Sequence, residues 1–78
     1  MPRFYFHLHD DIHSFDEEGI DFPTAEAALG RARDEARYLA AEEVRNGTLN
    51  LDHRIVVVSE RGEVIGTVLF RDVVCVAG

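Results

Sequence analysis

The sequence predicts an α+β fold: an antiparallel sheet of three or four strands with one long helix across one face, in the order β-β-α-β-β. Three observations support it. Pro2 to His9 alternates apolar and polar residues, Thr24 to Gly47 repeats apolar residues at three- and four-residue steps, and His53 to Phe70 forms two β-rich runs around a glycine turn. Nothing repeats internally and no Gly/Ser linker interrupts the chain, so residues 1–78 read as a single small domain.

In PRFYFHLH, Phe4, Phe6 and Leu8 point one way while Arg3, Tyr5, His7 and His9 point the other, because side chains alternate across a strand. Asp10-Asp11 interrupts the run. Ile12 to Phe15 is a candidate short strand, Asp16-Glu17-Glu18-Gly19 an acidic turn, and Ile20 to Phe22 alternates again until Pro23. The stretch Ile12 to Phe22 fits either one bulged strand or two short ones.

The helix is predicted over about Ala25 to Arg45. Ala28, Leu29, Ala32, Ala36, Leu39, Ala40 and Val44 fall on one face of a 3.6-residue repeat and are expected to be buried. The opposite face carries Arg31, Arg33, Asp34, Glu35, Arg37, Glu42 and Arg45, with ion pairs expected between Arg31 and Glu35 and between Asp34 and Arg37. Thr24 suits the N-cap and Asn46-Gly47 the left-handed stop. A stripe made mostly of alanine lets the helix axis lie close to a sheet. Gly30 costs about 1 kcal/mol relative to alanine there and reads as tolerated rather than as a close contact.

Thr48 to Asp52 reads as a connector whose two leucines cap one end of the core. His53 to Ser59 includes Ile55-Val56-Val57-Val58, all β-branched; Gly62 supplies a positive φ for the turn, and Val64 to Phe70 returns antiparallel. Alternation sets Val64, Gly66, Val68 and Phe70 on one face, with Ile65, Thr67 and Leu69 on the other. The expected core includes Phe4, Phe6, Leu8, Leu29, Ala32, Ala36, Leu39, Val57 and Val68.

That second hairpin is apolar on both faces, whereas one helix covers only one. The other cover is either the tail Val73-Val74-Cys75-Val76 or the same surface of a second copy. The expected assembly is a homodimer through the second hairpin and Val73 to Val76.

A net charge of −7, from fifteen acidic residues against eight arginines and no lysine, leaves no basic face able to neutralise several phosphates. Nucleic acid is therefore not an expected partner, and a basic protein is easier to accommodate. The single cysteine excludes an internal disulfide, no apolar run approaches a membrane span, and no export signal opens the chain. A cytoplasmic protein with no membrane association is expected. Without an export signal, Asn46-Gly47-Thr48 reads as a helix stop rather than a glycosylation site.

Few residues suggest chemistry. His7 and His9 share a strand face, and with His13 and a carboxylate from Asp10 or Asp11 they form the one candidate metal cluster, of the zinc or nickel type. The plainer reading is imidazoles on a solvated face beside Tyr5, and no bound metal or other cofactor is expected. Asp16-Glu17-Glu18 lacks the spacing of a carboxylate pair across one substrate bond and reads as a solvated turn. Cys75 has no base at catalytic spacing and reads as a small apolar residue. With no nucleophile elbow and no phosphate loop, the expectation is a non-enzymatic interaction or regulatory module, the alternative being a metal-binding or metal-sensing protein.

PRFYFH at the amino end, DEEGIDFPTAEAA leading into the helix and RIVVVSERGEVIGTVLFRD near the carboxyl end together resemble a family of short bacterial proteins classed as a domain of unknown function. The likeness spans nearly the whole chain in the same order and implies no activity, substrate or catalytic residue. Gly66 and Cys75 depart from its pattern. Thr24-Ala25-Glu26-Ala27-Ala28 is also similar to the helix opening of small antitoxin-type domains, whose usual DNA-binding segment has no counterpart here.

Overall fold

The computed structural model describes all 78 residues, Met1–Gly78. The chain runs β1 (Arg3–His9), β2 (His13–Ser14), β3 (Ile20–Asp21), α1 (Ala25–Arg45), β4 (Arg54–Ser59), β5 (Val64–Leu69) and the single turn α2 (Phe70–Val73). The sheet is antiparallel throughout, in the order β2-β1-β4-β5, with β3 also pairing β1 beyond the end of β2. The expected α+β arrangement is therefore present. Its first edge is broken into two short strands, which settles the path of Ile12 to Phe22.

The helix begins and ends as its caps dictate. Thr24 Oγ1 accepts from Ala27 N–H at 3.1 Å, Asn46 closes the last turn, and Gly47 takes φ 91°. Ala28, Ala32, Ala36 and Ala40 are buried along one line and join Phe4, Ile55, Val57, Val68 and Phe70 in the core. Phe6, Leu8, Leu29 and Leu39 pack against this cluster from partly exposed positions. Sheet register explains the facing: Phe6 lies opposite Val57, Leu8 opposite Ile55, Val57 opposite Gly66 and Ile55 opposite Val68. These residues share the helix side of the sheet.

Gly66 lets the helix sit close. A Cβ there would come within 2.8 Å of Leu29 Cδ2, so the missing side chain is a notch that receives Leu29. At Gly30 the nearest atom to a Cβ would be an Arg33 nitrogen at 3.8 Å, which agrees with simple tolerance.

Three expectations change. A bulge between Val57 and Val58 pairs Val58 with Val64, so Ile65 packs against the core while Val64 stands 64% exposed on the opposite side. Val44 is 59% exposed, because at the last turn Glu43 takes the inward position with a side chain only 19% exposed. The tail serves the helix side. Phe70 is buried, Val73 and Val74 pack against the core, and Arg37 Nε donates to Val73 O at 3.3 Å.

Candidate functional site

The side of the sheet away from α1 carries no element of the chain. Register arranges it in rows across β1, β4 and β5: Tyr5-Val58-Val64, then His7-Val56-Thr67, then His9-Arg54-Leu69, with His13 of β2 opposite His9. One end is apolar and the other is basic. Phe15, 67% exposed, lies edge-on to the His7 ring at 5.3 Å and to the His9 ring at 6.5 Å. The only carboxylate within any strand is Asp21, which Arg3 engages at 2.9 Å at the rim.

The histidines expected to cluster do so only in part. His9 and His13 have ring centroids 4.5 Å apart, but His7 Nδ1 is occupied as the acceptor of Asp16 N–H at 3.1 Å. No group of three or more His, Cys, Asp or Glu side chains is arranged to hold a metal ion. Burial lowers the His9 pKa, and the neighbouring charges of His13, Arg54 and His7 lower it further.

Asp16 fills the gap between β2 and β3. Its carboxylate accepts from Phe6 N–H at 3.2 Å and from Glu18 and Gly19 N–H at 3.1 Å each, so it satisfies a β1 donor that no edge strand reaches. Burial alone would raise the Asp16 pKa, but the N–H groups of Gly19, Phe6 and Glu18, followed by His7, outweigh it and hold the carboxyl below its ordinary range. Held by three backbone donors, this carboxylate has a structural role in closing the broken edge. Glu17 and Glu18 have exposed positions beside it, as a solvated turn requires.

A second polar group escaped sequence reasoning. His53 Nδ1 pairs with Glu43 Oε2, and Nε2 lies 3.5 Å from Asp11 Oδ1 at the edge of a recess of about 310 Å³ lined by Asp10, Asp11, Glu43, Thr48, Asn50 and His53. Burial lowers the His53 pKa, yet Glu43 and then Asp11 outweigh it and leave the value raised. The signal was in the helix register, because Glu43 follows Ala36 and Ala40 on the buried stripe. The arrangement is not a nucleophile-base pair. Nε2, the atom that would have to face a hydroxyl or thiol, is buried without a hydrogen-bond partner, 3.5 Å from the exposed Asp11 carboxylate.

On the helix side, a cleft of about 280 Å³ opens between α1 and the broken edge, floored by Phe6, Leu8, Ile20, Leu39 and Ile55. Asp16, Arg31 and Glu35 stand at its rim, the last two 3.8 Å apart as an ion pair. Polar groups do not converge inside it. Cys75, expected to behave as an apolar residue, is exposed because the chain leaves the core after Val74. No helix is long and apolar enough to cross a membrane.

No curated protein and no solved structure matches the chain. A family described as Domain of unknown function (DUF6894) matches residues 3–71, the stretch from the first residue of β1 into α2 that builds the sheet, the helix and the open face. By that match the chain belongs to this family.

Proposed function

We propose that the protein is a non-enzymatic interaction module of the cytoplasm that works as a homodimer. The observation that carries the reading is the sheet face bearing Tyr5, Val56 and Val58, half-buried, and Val64, exposed, which is apolar in character and lies opposite the only long helix and the tail residues Val73 and Val74. A small domain with half its sheet uncovered gains stability from a partner. A non-enzymatic role agrees with the two best-placed ionisable groups, since Asp16 accepts from three backbone N–H groups and His53 Nδ1 is taken by Glu43.

A basic protein partner on the helix gains less support. Arg31–Glu35, Arg37–Asp34, Arg45–Glu42 and Arg33–Glu26 pair along its outer surface, so its acids are largely neutralised in place. The alternative of metal binding draws on one observation, the adjacent rings of His9 and His13. Native mass spectrometry of untagged protein at low micromolar concentration separates the readings. A metal-free dimer is expected; a monomer carrying stoichiometric zinc or nickel, lost in His9→Ala, would replace this reading with the alternative.

A further inference from the structure

We infer that the Asn46-Gly47 stop of α1 is a site of spontaneous covalent modification, at which the Gly47 nitrogen displaces the Asn46 side-chain amide when the last helical turn frays, and that the product, aspartate or isoaspartate, loosens the connector to β4. The inference stands apart from the homodimer reading.

The sequence singles the site out. Asn46 and Asn50 carry the only side-chain amides in the chain, which contains no glutamine. The residue that follows each of them decides between the two. After Asn46 it is glycine, which places no side chain beside the attacking nitrogen and reaches backbone angles closed to other residues. After Asn50 it is Leu51, and Asn50 is held at both ends: its Oδ1 accepts from Asp52 N–H at 2.9 Å, and its N–H donates to Glu43 Oε1 at 2.9 Å.

The structure shows a site that is open but latched. Asn46 and Gly47 are exposed, Gly47 takes φ 91°, and a Cβ on it would meet nothing within 4 Å, so no neighbouring element has to move for a ring to close there. The turn itself has to move. With Asn46 ψ at 5°, the Gly47 nitrogen eclipses the Asn46 nitrogen, whereas attack on Cγ requires it to swing beside Cβ. Two hydrogen bonds oppose that swing, Asn46 Nδ2 to Glu42 O at 3.1 Å and Gly47 N–H to Val44 O at 2.9 Å. Both belong to the last turn of α1, and helix ends are where local opening costs least. Fraying therefore frees the nucleophile and the electrophile together.

The reaction needs only water. The Gly47 nitrogen gives up its proton to solvent base and bonds to Asn46 Cγ; the Cγ–Nδ2 bond breaks, and Nδ2 takes a proton and leaves as ammonia. Water then adds to one of the two carbonyls of the five-membered imide and opens it, to aspartate or to isoaspartate. Either product adds one negative charge to the −7 of the chain, at the negative end of the helix dipole beside Glu42 and Glu43, and removes the donor to Glu42 O. Isoaspartate also lengthens the main chain by one carbon just before Thr48, whose N–H donates to Glu43 O at 3.1 Å. Because the Glu43 carboxylate holds both Asn50 N–H and His53 Nδ1, the disturbance reaches the start of β4.

The full chain, incubated near neutral pH both folded and in urea and followed by intact mass and peptide mapping, tests the site. The expected result is a gain of about 1 Da at residue 46 in the folded chain, at a rate about tenfold or more below that in urea, because only the frayed fraction reacts. Asn46→Gln, whose attack would need a larger ring, should abolish the gain, and Asn50→Gln should leave it unchanged. Should Asn46→Gln fail to fold by circular dichroism, peptide mapping of the wild type locates the modified residue without a variant. The modified fraction, separated by anion exchange, should melt at a lower temperature and exchange the Thr48 and Asn50 amides faster than the unmodified chain. No gain in the folded chain, or a gain at Asn50 instead, overturns the site. Equal rates in folded and unfolded chains overturn the gating by fraying, and unchanged melting and exchange overturn the effect on the connector.

Discussion

Replacing Asp16 by alanine removes the acceptor of three backbone N–H groups at once, and the expected cost is about 2 to 3 kcal/mol in urea denaturation, with Asp16→Asn costing less. Because the Asp16 pKa is lowered on folding, its contribution is present above the ordinary carboxylate pKa and is lost as pH falls through the lower folded value. His53 behaves in the opposite sense. Its pKa is raised, so its contribution is complete below about pH 6.5 and fades as pH rises through the folded value. Glu43→Gln should lower the His53 titration midpoint, measured from its ring resonances, and flatten that loss. The shared face of His7 and His9 was legible from alternation alone. The role of Asp16 was not, because its most distant partner is a backbone N–H ten residues earlier in sequence and leaves no side-chain signature.

Among the elements, three glycines give contrasting expectations. Gly30→Ala should stabilise by up to about 1 kcal/mol, since nothing crowds the added methyl and alanine is the better helix former. Gly19→Ala should destabilise, because φ is 73° and the methyl would lie 2.9 Å from Phe4 O, a backbone atom that β1 holds in place. Gly66→Val should displace Leu29 and lower the thermal midpoint, with a smaller effect for Gly66→Ala. The helix, its caps and the second hairpin were readable because periodicity and turn chemistry are local. The bulge was not. The alternation of Val64 to Phe70 is uninterrupted in sequence, and the extra residue is absorbed where the turn closes, with Ser59 N–H donating to Glu63 O and Gly62 N–H to Ser59 O. Val44 was misplaced for a related reason: a helical stripe drifts, and by the last turn the inner position had passed to Glu43.

At the scale of the whole molecule, one helix on a four-position sheet sets the balance between fold and assembly. The sequence correctly implied that the hairpin has more apolar surface than the helix can cover, but it left open which side the tail would take. Phe70 decided that, since its burial beneath α1 draws Val73 and Val74 with it. Each copy carries −7, so the proposed dimer should tighten modestly as ionic strength rises from low to physiological values, measured by sedimentation equilibrium. The broken first edge has a further effect. Growth of a continuous sheet from chain to chain needs an accepting strand on both flanks of every subunit. On the β1 flank Asp16 has already taken the Phe6 N–H, and β2 and β3 are two residues each, which leaves β5 as the sole regular template. Strand addition along the sheet therefore ends after one partner at β5, and a continuous sheet cannot run from chain to chain by edge pairing alone.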